Sequence, residues 1–209
     1  MRDQLDLPAR PVLFLDDVSN ATYTWKKVAA WLSAGAESPK HPFHWPVVSS
    51  IATDGGPDAR VVVFRRFHSS SRSLTFHTDI RSPKVSQLRR DSRCTFVFYD
   101  PAALLQLRVR GITTIHHRDE VARTEFDALL PHTRASYAAK EDPGSTLHPD
   151  TASVYPPRPP IDEPFAFEHF ATVIATITEL DALELHEYGH RRAKLWWDEN
   201  EIRISRLGP

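Results

Sequence analysis

Two hydrophobic periods meet in one short stretch, Leu74 to Arg90 (LTFHTDIRSPKVSQLRR). Its first half alternates: Leu74, Phe76 and Thr78 fall on one face of an extended strand, Thr75 and His77 on the other. Its second half is helical. Ser82 is a good N-cap, Pro83 suits the first helical position, and Val85 and Leu88 lie three apart on one face. The stretch therefore reads strand, tight turn, helix.

The same reading extends along the chain. Thr22 or Thr24 can cap a helix from about Trp25 to Ala36, with Val28, Trp31 and Leu32 as its apolar stripe. Trp45 to Thr53 reads as a strand, and Asp54-Gly55-Gly56 as a turn. Arg60 to Phe67 (RVVVFRRF) is a nearly continuous apolar run, expected as one strand covered on both faces, and His68 to Ser73 closes a hairpin. Arg93 to Tyr99 is a further doubly covered strand. Leu104 to His116 alternates, with Leu105, Leu107 and Val109 opposite Gln106, Arg108 and Arg110. Asp119 can cap a helix that Pro131 stops, and a short helix is expected from about Thr133 to Lys140. Phe165 to Leu180 is rich in β-branched and aromatic residues, and Ala182 to His186, Arg191 to Trp197 and Ile202 to Leu207 follow as strands. Many antiparallel strands with a few helices imply an α+β fold, a mostly antiparallel barrel with helices packed outside.

Residues 1–21 read as an N-terminal arm, and 22–209 as one domain. Glu141 to Pro164 holds seven prolines and no periodic pattern. Loops of that length are usually functional or cross between subunits. With 17 prolines against 7 glycines, loops here are stiff.

Composition narrows the classes. Hydrophobic residues make up 41% and charged residues 25%, the mixture of a soluble globular chain. A net charge of −1 gives no basic bias toward nucleic acid. No apolar run reaches membrane-spanning length, and no signal-peptide core opens the chain, so a cytoplasmic setting is expected. The single cysteine, Cys94, excludes an internal disulfide. Eleven histidines raise a metal reading, but His41-x-x-His44 lies among prolines and His116-His117 point to opposite faces, so no metal site is expected. Trp196-Trp197 reads as core and subunit contact, and no nucleophile-elbow motif supports a hydrolase.

The chemistry gathers at the strand–turn–helix. A helix N-terminus offers N–H groups and a positive dipole end, and Thr78, Arg81, Ser82 and Lys84 add hydroxyls and cations. This is a set suited to a phosphate.

Three segments, Arg60–Arg65 (RVVVFR), His77–Lys84 (HTDIRSPK) and the C-terminal HRRAKLWWDENEIRISRLGP, resemble the pyridoxamine 5′-phosphate oxidase group of flavin mononucleotide (FMN) proteins. The resemblance covers about Trp25 to Pro209 and implies a split β-barrel, FMN as cofactor, and a homodimer with flavin at the interface. It implies that Arg60 contacts the flavin phosphate, that Val61, Val62 and Val63 run beside the cofactor, and that Arg65 faces the ring edge or substrate. The family's Tyr-Thr pair appears as His77-Thr78, and its Ser-Arg-Lys as Ser82-Pro83-Lys84, with Arg81 as a stand-in for the missing arginine. Gln106 takes a place near the ring, followed by Val109 and Gly111, and Arg192 takes the ring-contacting place near the end. Arg65, Arg134, Ser136, Tyr137, Tyr188 and His190 are the substrate-side candidates implied. Tyr188 stands where the true oxidases carry arginine, and a phenol cannot replace a guanidinium fork.

One point of geometry resists. Arg60 and Arg65 are an odd number apart, so a regular strand sends them to opposite faces; a bulge, a twist or different subunits' sites would reconcile them. The expected function is that of an FMN-dependent oxidoreductase of unassigned substrate, with a small-molecule partner and no catalytic acid or base of its own. Two alternatives stand beside it: a genuine pyridoxamine/pyridoxine 5′-phosphate oxidase, and a flavin or haem binding protein without turnover.

Overall fold

The computed structural model describes residues 15, 19–148, 161–186, 189–199 and 201–209. Most of the expected arm and the centre of the proline-rich loop lie outside them, as does Tyr188. The described residues form an α+β fold: nine strands, all paired antiparallel, in one curved sheet. The strands are β1 (Val47–Ile51), β2 (Pro57–Val61), β3 (Phe64–His68), β4 (Ser73–Asp79), β5 (Arg93–Asp100), β6 (Leu105–His116), β7 (Phe170–Glu184), β8 (Arg191–Asp198) and β9 (Glu201–Leu207). Their order is β2-β1-β5-β6-β7-β4-β3, with β8 also on β7 and β9 on β8. The helices are α1 (Ala21–Glu37), α2 (Pro83–Arg90), α3 (Glu120–Asp127), α4 (Pro131–Arg134) and α5 (Glu163–His169).

Alternation explains the strands. In β6 every second residue from Leu105 to Val109 is buried, and Gln106, Arg108 and Arg110 face outward. The inward side chains meet Phe43, Phe64, Phe76, Phe96 and Phe98, all fully buried. Gly111 marks a register shift between β6 and β7, where a Cβ would come within 2.9 Å of the Thr176 carbonyl oxygen. Only glycine admits that approach.

Four elements differ from the sequence reading. The run Arg60 to Phe67 is two strands, not one: β2 pairs with β1, β3 pairs with β4, and the chain changes partner at Val62-Val63. Val61 to Phe64 is an unbroken apolar run, with Val61 exposed and Val62 and Phe64 buried, so the sequence shows no break. Helix α1 starts at Ala21 and is capped by Asn20, whose side chain accepts from the Tyr23 amide at 2.9 Å, so neither threonine is the cap. The helix expected from Thr133 is the single turn α4 and a 3₁₀ turn, Ala135–Tyr137. Phe165 to His169 is the body of helix α5, capped by Asp162 with Pro164 in its first turn, and β7 then runs unbroken through Ala182. Trp197 packs edge-on against Trp25 of α1 at 5.0 Å, which accounts for its core role.

A second, helical layer covers the outer face of β4 and β7. Ala122, Phe126, Tyr137, Ala166 and Phe170 form its core. A polar clasp joins this layer to the sheet: Glu125 of α3 meets His77 Nε2 at 3.1 Å and Arg66 Nε at 2.7 Å. Burial alone would raise the Glu125 pKa, but the His77 and Arg66 contacts outweigh it and hold the carboxyl at about 2. Burial lowers the His77 pKa more than Glu125 raises it, so the ring stays neutral further into acid than a free histidine.

Two predictions follow from this packing. A Cβ on Gly35 of α1 would lie 2.6 Å from Phe43 Cβ. Gly35→Ala gains about 1 kcal/mol of helix propensity but costs about 1–3 kcal/mol in overlap, so its urea midpoint should fall; a raised midpoint would show that the α1–Phe43 contact can open. The clasp sets an acid limb. Both folded-state pKa values are depressed, so the stability they contribute is present at neutral pH. It declines below about 6.5, where an unfolded histidine protonates, and declines further between about 4.5 and 2 as Glu125 does. Glu125→Gln should flatten the lower part of that limb, by about 1–2 kcal/mol after allowance for partial solvent screening. Parallel pH–stability curves for the two proteins would refute the clasp.

Candidate cofactor site

The turn between β4 and α2 is built as the alternation dictates. Thr78 follows Phe76 onto the inner face of β4, and Asp79 points outward with His77. Ser82 occupies the N-cap position of α2, but its hydroxyl makes no capping bond. It accepts instead from Lys84 Nζ at 2.5 Å, and Thr78 Oγ1 accepts from the same ammonium at 3.1 Å. Lys84 is half-buried, and among the described residues no carboxylate bonds it. Burial lowers its pKa, and the nearby Arg60 charge adds to the effect. An ammonium held by two hydroxyls beside a guanidinium is a cradle for an anion.

Arg60 enters this corner from β2. Its Nη1 donates to Ser50 Oγ at 2.7 Å, and its Nη2 donates to Gln87 Oε1 at 3.0 Å and to the Asp58 carboxylate. Asp58, Gln87 and Ser50 were not among the residues singled out by sequence. A signal existed for two of them: Asp58 precedes Arg60 by two in one strand, and Gln87 follows Lys84 by three on one helical face.

The change of strand partner resolves the parity problem. Arg65 sits at the register shift between Phe64 and Arg66, so its direction is independent of Arg60's. Its Nε is buried without a hydrogen-bond partner, and the charge of its guanidinium is felt by Tyr137 and His77. The Tyr137 phenol is pushed up to about 12, mainly by burial. Val61 is exposed, Val63 half-buried and Val62 buried.

Several predicted residues are engaged elsewhere. The His77 side chain turns away from the cradle, against Glu125 and the Phe170 ring. Arg81 is held by both Asp79 oxygens, at 3.0 and 2.7 Å, and by the Ala139 and Lys140 carbonyls, so it anchors the following loop. Arg134 binds Glu163 and the Leu129 and Asp127 carbonyls. Ser136 and His190 are exposed.

Gln106 and Arg192 form a separate group. Gln106 pairs with Leu183 and Leu183 with Arg192, which puts both on the outer face, two strands or about 10 Å apart. Arg192 binds Asp181 through Nε and Nη2 at 3.0 and 2.8 Å, and Arg108 binds the same carboxylate. Burial would raise the Asp181 pKa, but the two arginines lower it overall. Among the described residues no hydrogen bond or ion pair joins this group to the Lys84 cradle. No cluster of three or more potential metal ligands occurs among them either, and no helix is long and apolar enough to cross a membrane.

The donor set fits the phosphate end of FMN. Lys84 and Arg60 supply charge, Thr78 and Ser82 supply hydroxyls, and the N-terminus of α2 faces them. Comparison with known proteins agrees. Residues 23–117 match the family model of the pyridoxamine 5′-phosphate oxidase FMN-binding domain. A pyridoxine/pyridoxamine 5′-phosphate oxidase of Caulobacter vibrioides is 31% identical over 103 residues, 49% of this chain and 43% of that protein. One of Nitrobacter winogradskyi is 30% identical over 115 residues, 54% of this chain and 53% of that protein. The chain thus spans about half the length of the curated relatives it matches. In fold, it is similar to a pyridoxamine 5′-phosphate oxidase-related FMN-binding protein of Nostoc punctiforme, with a TM-score of 0.70, 20% identity and coverage of 88% and 97%. It is also similar to PhzG of Burkholderia lata, solved with tetrahydrophenazine-1-carboxylic acid, with a TM-score of 0.68, 18% identity and coverage of 97% and 99%. The fold is therefore the split barrel of these proteins, and residues 23–117 are similar to the FMN-binding domain of pyridoxamine 5′-phosphate oxidase, which gives FMN as the cofactor.

Proposed function

We propose that the protein is an FMN-dependent oxidoreductase that works as a homodimer on a small substrate other than pyridoxamine 5′-phosphate. The observation that carries the cofactor site is the half-buried Lys84 ammonium, bonded by two hydroxyls and lying beside Arg60. When bound, FMN supplies the redox chemistry, accepting two electrons from a substrate. The chain's own groups bind and orient: Arg60, Thr78, Ser82 and Lys84 at the phosphate, with Val62 and Val63 beside it. Gln106 and Arg192 are assigned to the flavin ring. Their separation from the cradle supports a site completed by a second subunit. So does a row of exposed or half-exposed apolar side chains, Val61, Val47 and Val97, aligned across β2, β1 and β5 on the outer face.

Among the described substrate-side candidates, Arg65 is a cation without a carboxylate partner and so is available to an acidic substrate group, with Tyr137 at its side. The Glu125 carboxylate offsets Arg66, and Glu163 occupies Arg134. That balance suits one negative charge better than a phosphate dianion. It is the reason for setting a genuine pyridoxamine 5′-phosphate oxidase second, although the curated relatives carry that name.

Two measurements test this. Heat-released cofactor should chromatograph as FMN, and Lys84→Ala and Arg60→Ala should each lose about 2–4 kcal/mol of FMN affinity while keeping the wild-type circular dichroism. FAD or haem in the released fraction, or unchanged affinity in both variants, would overturn the site. The FMN-loaded protein should form pyridoxal 5′-phosphate from pyridoxamine 5′-phosphate and oxygen at least a hundredfold below the usual enzymatic scale of about one turnover per second or more. Turnover on that scale would restore the oxidase reading.

A further inference from the structure

Behind the Lys84 cradle lies a second ring of hydrogen-bonded residues. Gln87 is buried on α2, one helical turn beyond Lys84. Its Nε2 donates to Asp58 Oδ2 at 2.8 Å. Its Oε1 accepts from Arg60 Nη2 at 3.0 Å and from Ser50 Oγ at 2.6 Å. Ser50 in turn accepts from Arg60 Nη1, and Asp58 pairs with Arg60. Three elements, β1, β2 and α2, thus meet at one amide. Both ends of that amide are used, so its orientation is determined: the carbonyl takes two donors and the NH₂ faces a carboxylate. The Gln87 bond is also the main reason the Asp58 carboxyl sits below the ordinary aspartate range, with Arg60 adding to it.

A guanidinium on a strand end loses side-chain entropy when it grips a ligand. Here that freedom is already removed, since the Nη atoms are fixed by protein acceptors and Nε makes no hydrogen bond among the described residues. Gln87 also shares a rigid helix with Lys84. One residue therefore fixes the spacing between the two cations that the proposed function assigns to the phosphate.

We infer that Gln87, supported by Ser50 and Asp58, is a positioning residue for phosphate recognition, holding Arg60 at a set distance from Lys84 so that the site distinguishes a flavin phosphate monoester from the phosphate-free flavin. The inference rests on the FMN reading of the cradle. The bland alternative is that Gln87 only fastens α2 to the β1–β2 hairpin. The two differ in what they do to ligand discrimination. A fastening residue would weaken FMN and riboflavin alike, whereas a positioning residue weakens only the ligand that carries the phosphate.

The test is a pair of titrations, FMN and riboflavin, on the full chain, followed by flavin fluorescence. Wild type should prefer FMN. Gln87→Met, close in volume and without hydrogen-bonding groups, should weaken FMN about tenfold and leave riboflavin within about twofold, so that the FMN-to-riboflavin preference falls. Ser50→Ala should lower the preference in the same direction by a smaller factor. Should Gln87→Met fail to fold by circular dichroism, Ser50→Ala and Asp58→Asn decide the matter by the same ratio. An unchanged ratio in the folded variants, or equal loss of both ligands, overturns the inference. Lys84→Ala separates the two claims: if it abolishes the preference while the Gln87 and Ser50 variants keep it, only the positioning role fails. If wild type shows no preference for FMN, the phosphate reading itself fails.

Discussion

The fold depends on how one strand divides its hydrogen bonds. β7 is 15 residues long, and one edge is taken by β6 over nearly its whole length. The other edge is shared: β4 pairs with Phe170 to Thr176, and β8 with Glu179 to Glu184. Between them the Ile177 amide donates to the Arg72 carbonyl at 2.8 Å, so the backbone there is still satisfied. The Arg72 guanidinium lies over the Trp197 ring of β8, 4.9 Å from its centroid, and bridges the fork. Because β4 and β8 leave β7 in sequence, the two halves of the barrel diverge. The Thr78–Lys84 cradle ends one half, and the Gln106–Arg192 row lies across the other.

Charge follows the same division. On the β6–β8 face the arginines meet acids directly: Asp181 takes Arg108 and Arg192, and Glu179 takes Lys194. In these pairs the acid is more buried than its cationic partner, and the contact fixes side-chain direction. At the β4–α2 turn the balance differs. Arg60 has Asp58, while among the described residues Lys84 bonds hydroxyls and no carboxylate, so the corner keeps a positive charge that water cannot fully solvate. A half-buried cation without an acid is a cost to the free protein, and an anionic ligand offsets it.

Much of this was legible in residue order. Period-two alternation located β4 and β6, the Asp119 cap located α3, and Ser82-Pro83 located the start of α2. Two of the differences lie where composition alone misleads. RVVVFRRF is apolar without a break from Val61 to Phe64, so nothing in it marks where β2 leaves β1 and β3 takes up β4. FAFEHF has strand-like composition, and only the Asp162 cap with Pro164 behind it reveals a helix. The cradle's hydroxyls and lysine were readable because they are contiguous. Spacing tied Asp58 to Arg60 and Gln87 to Lys84, but their meeting with Ser50 exists only once three elements converge.

The sidedness of β4 explains why neighbouring residues in the site have unlike parts. Thr78 faces inward and meets Lys84 at the cradle. His77, one residue earlier, faces outward into the helical layer, where Glu125 and Phe170 enclose it. Asp79, one residue later, also faces outward and pins Arg81, which holds the loop after Ala138 by its carbonyls. The Lys84 corner and the helical layer carrying Tyr137 are thus anchored to opposite faces of the same three residues. A shift of β4 by one position would exchange the two environments and destroy both. The seven backbone pairings of β4 with β7 guard against that slip, and they are what keeps the Lys84 corner and the helical layer in fixed relation.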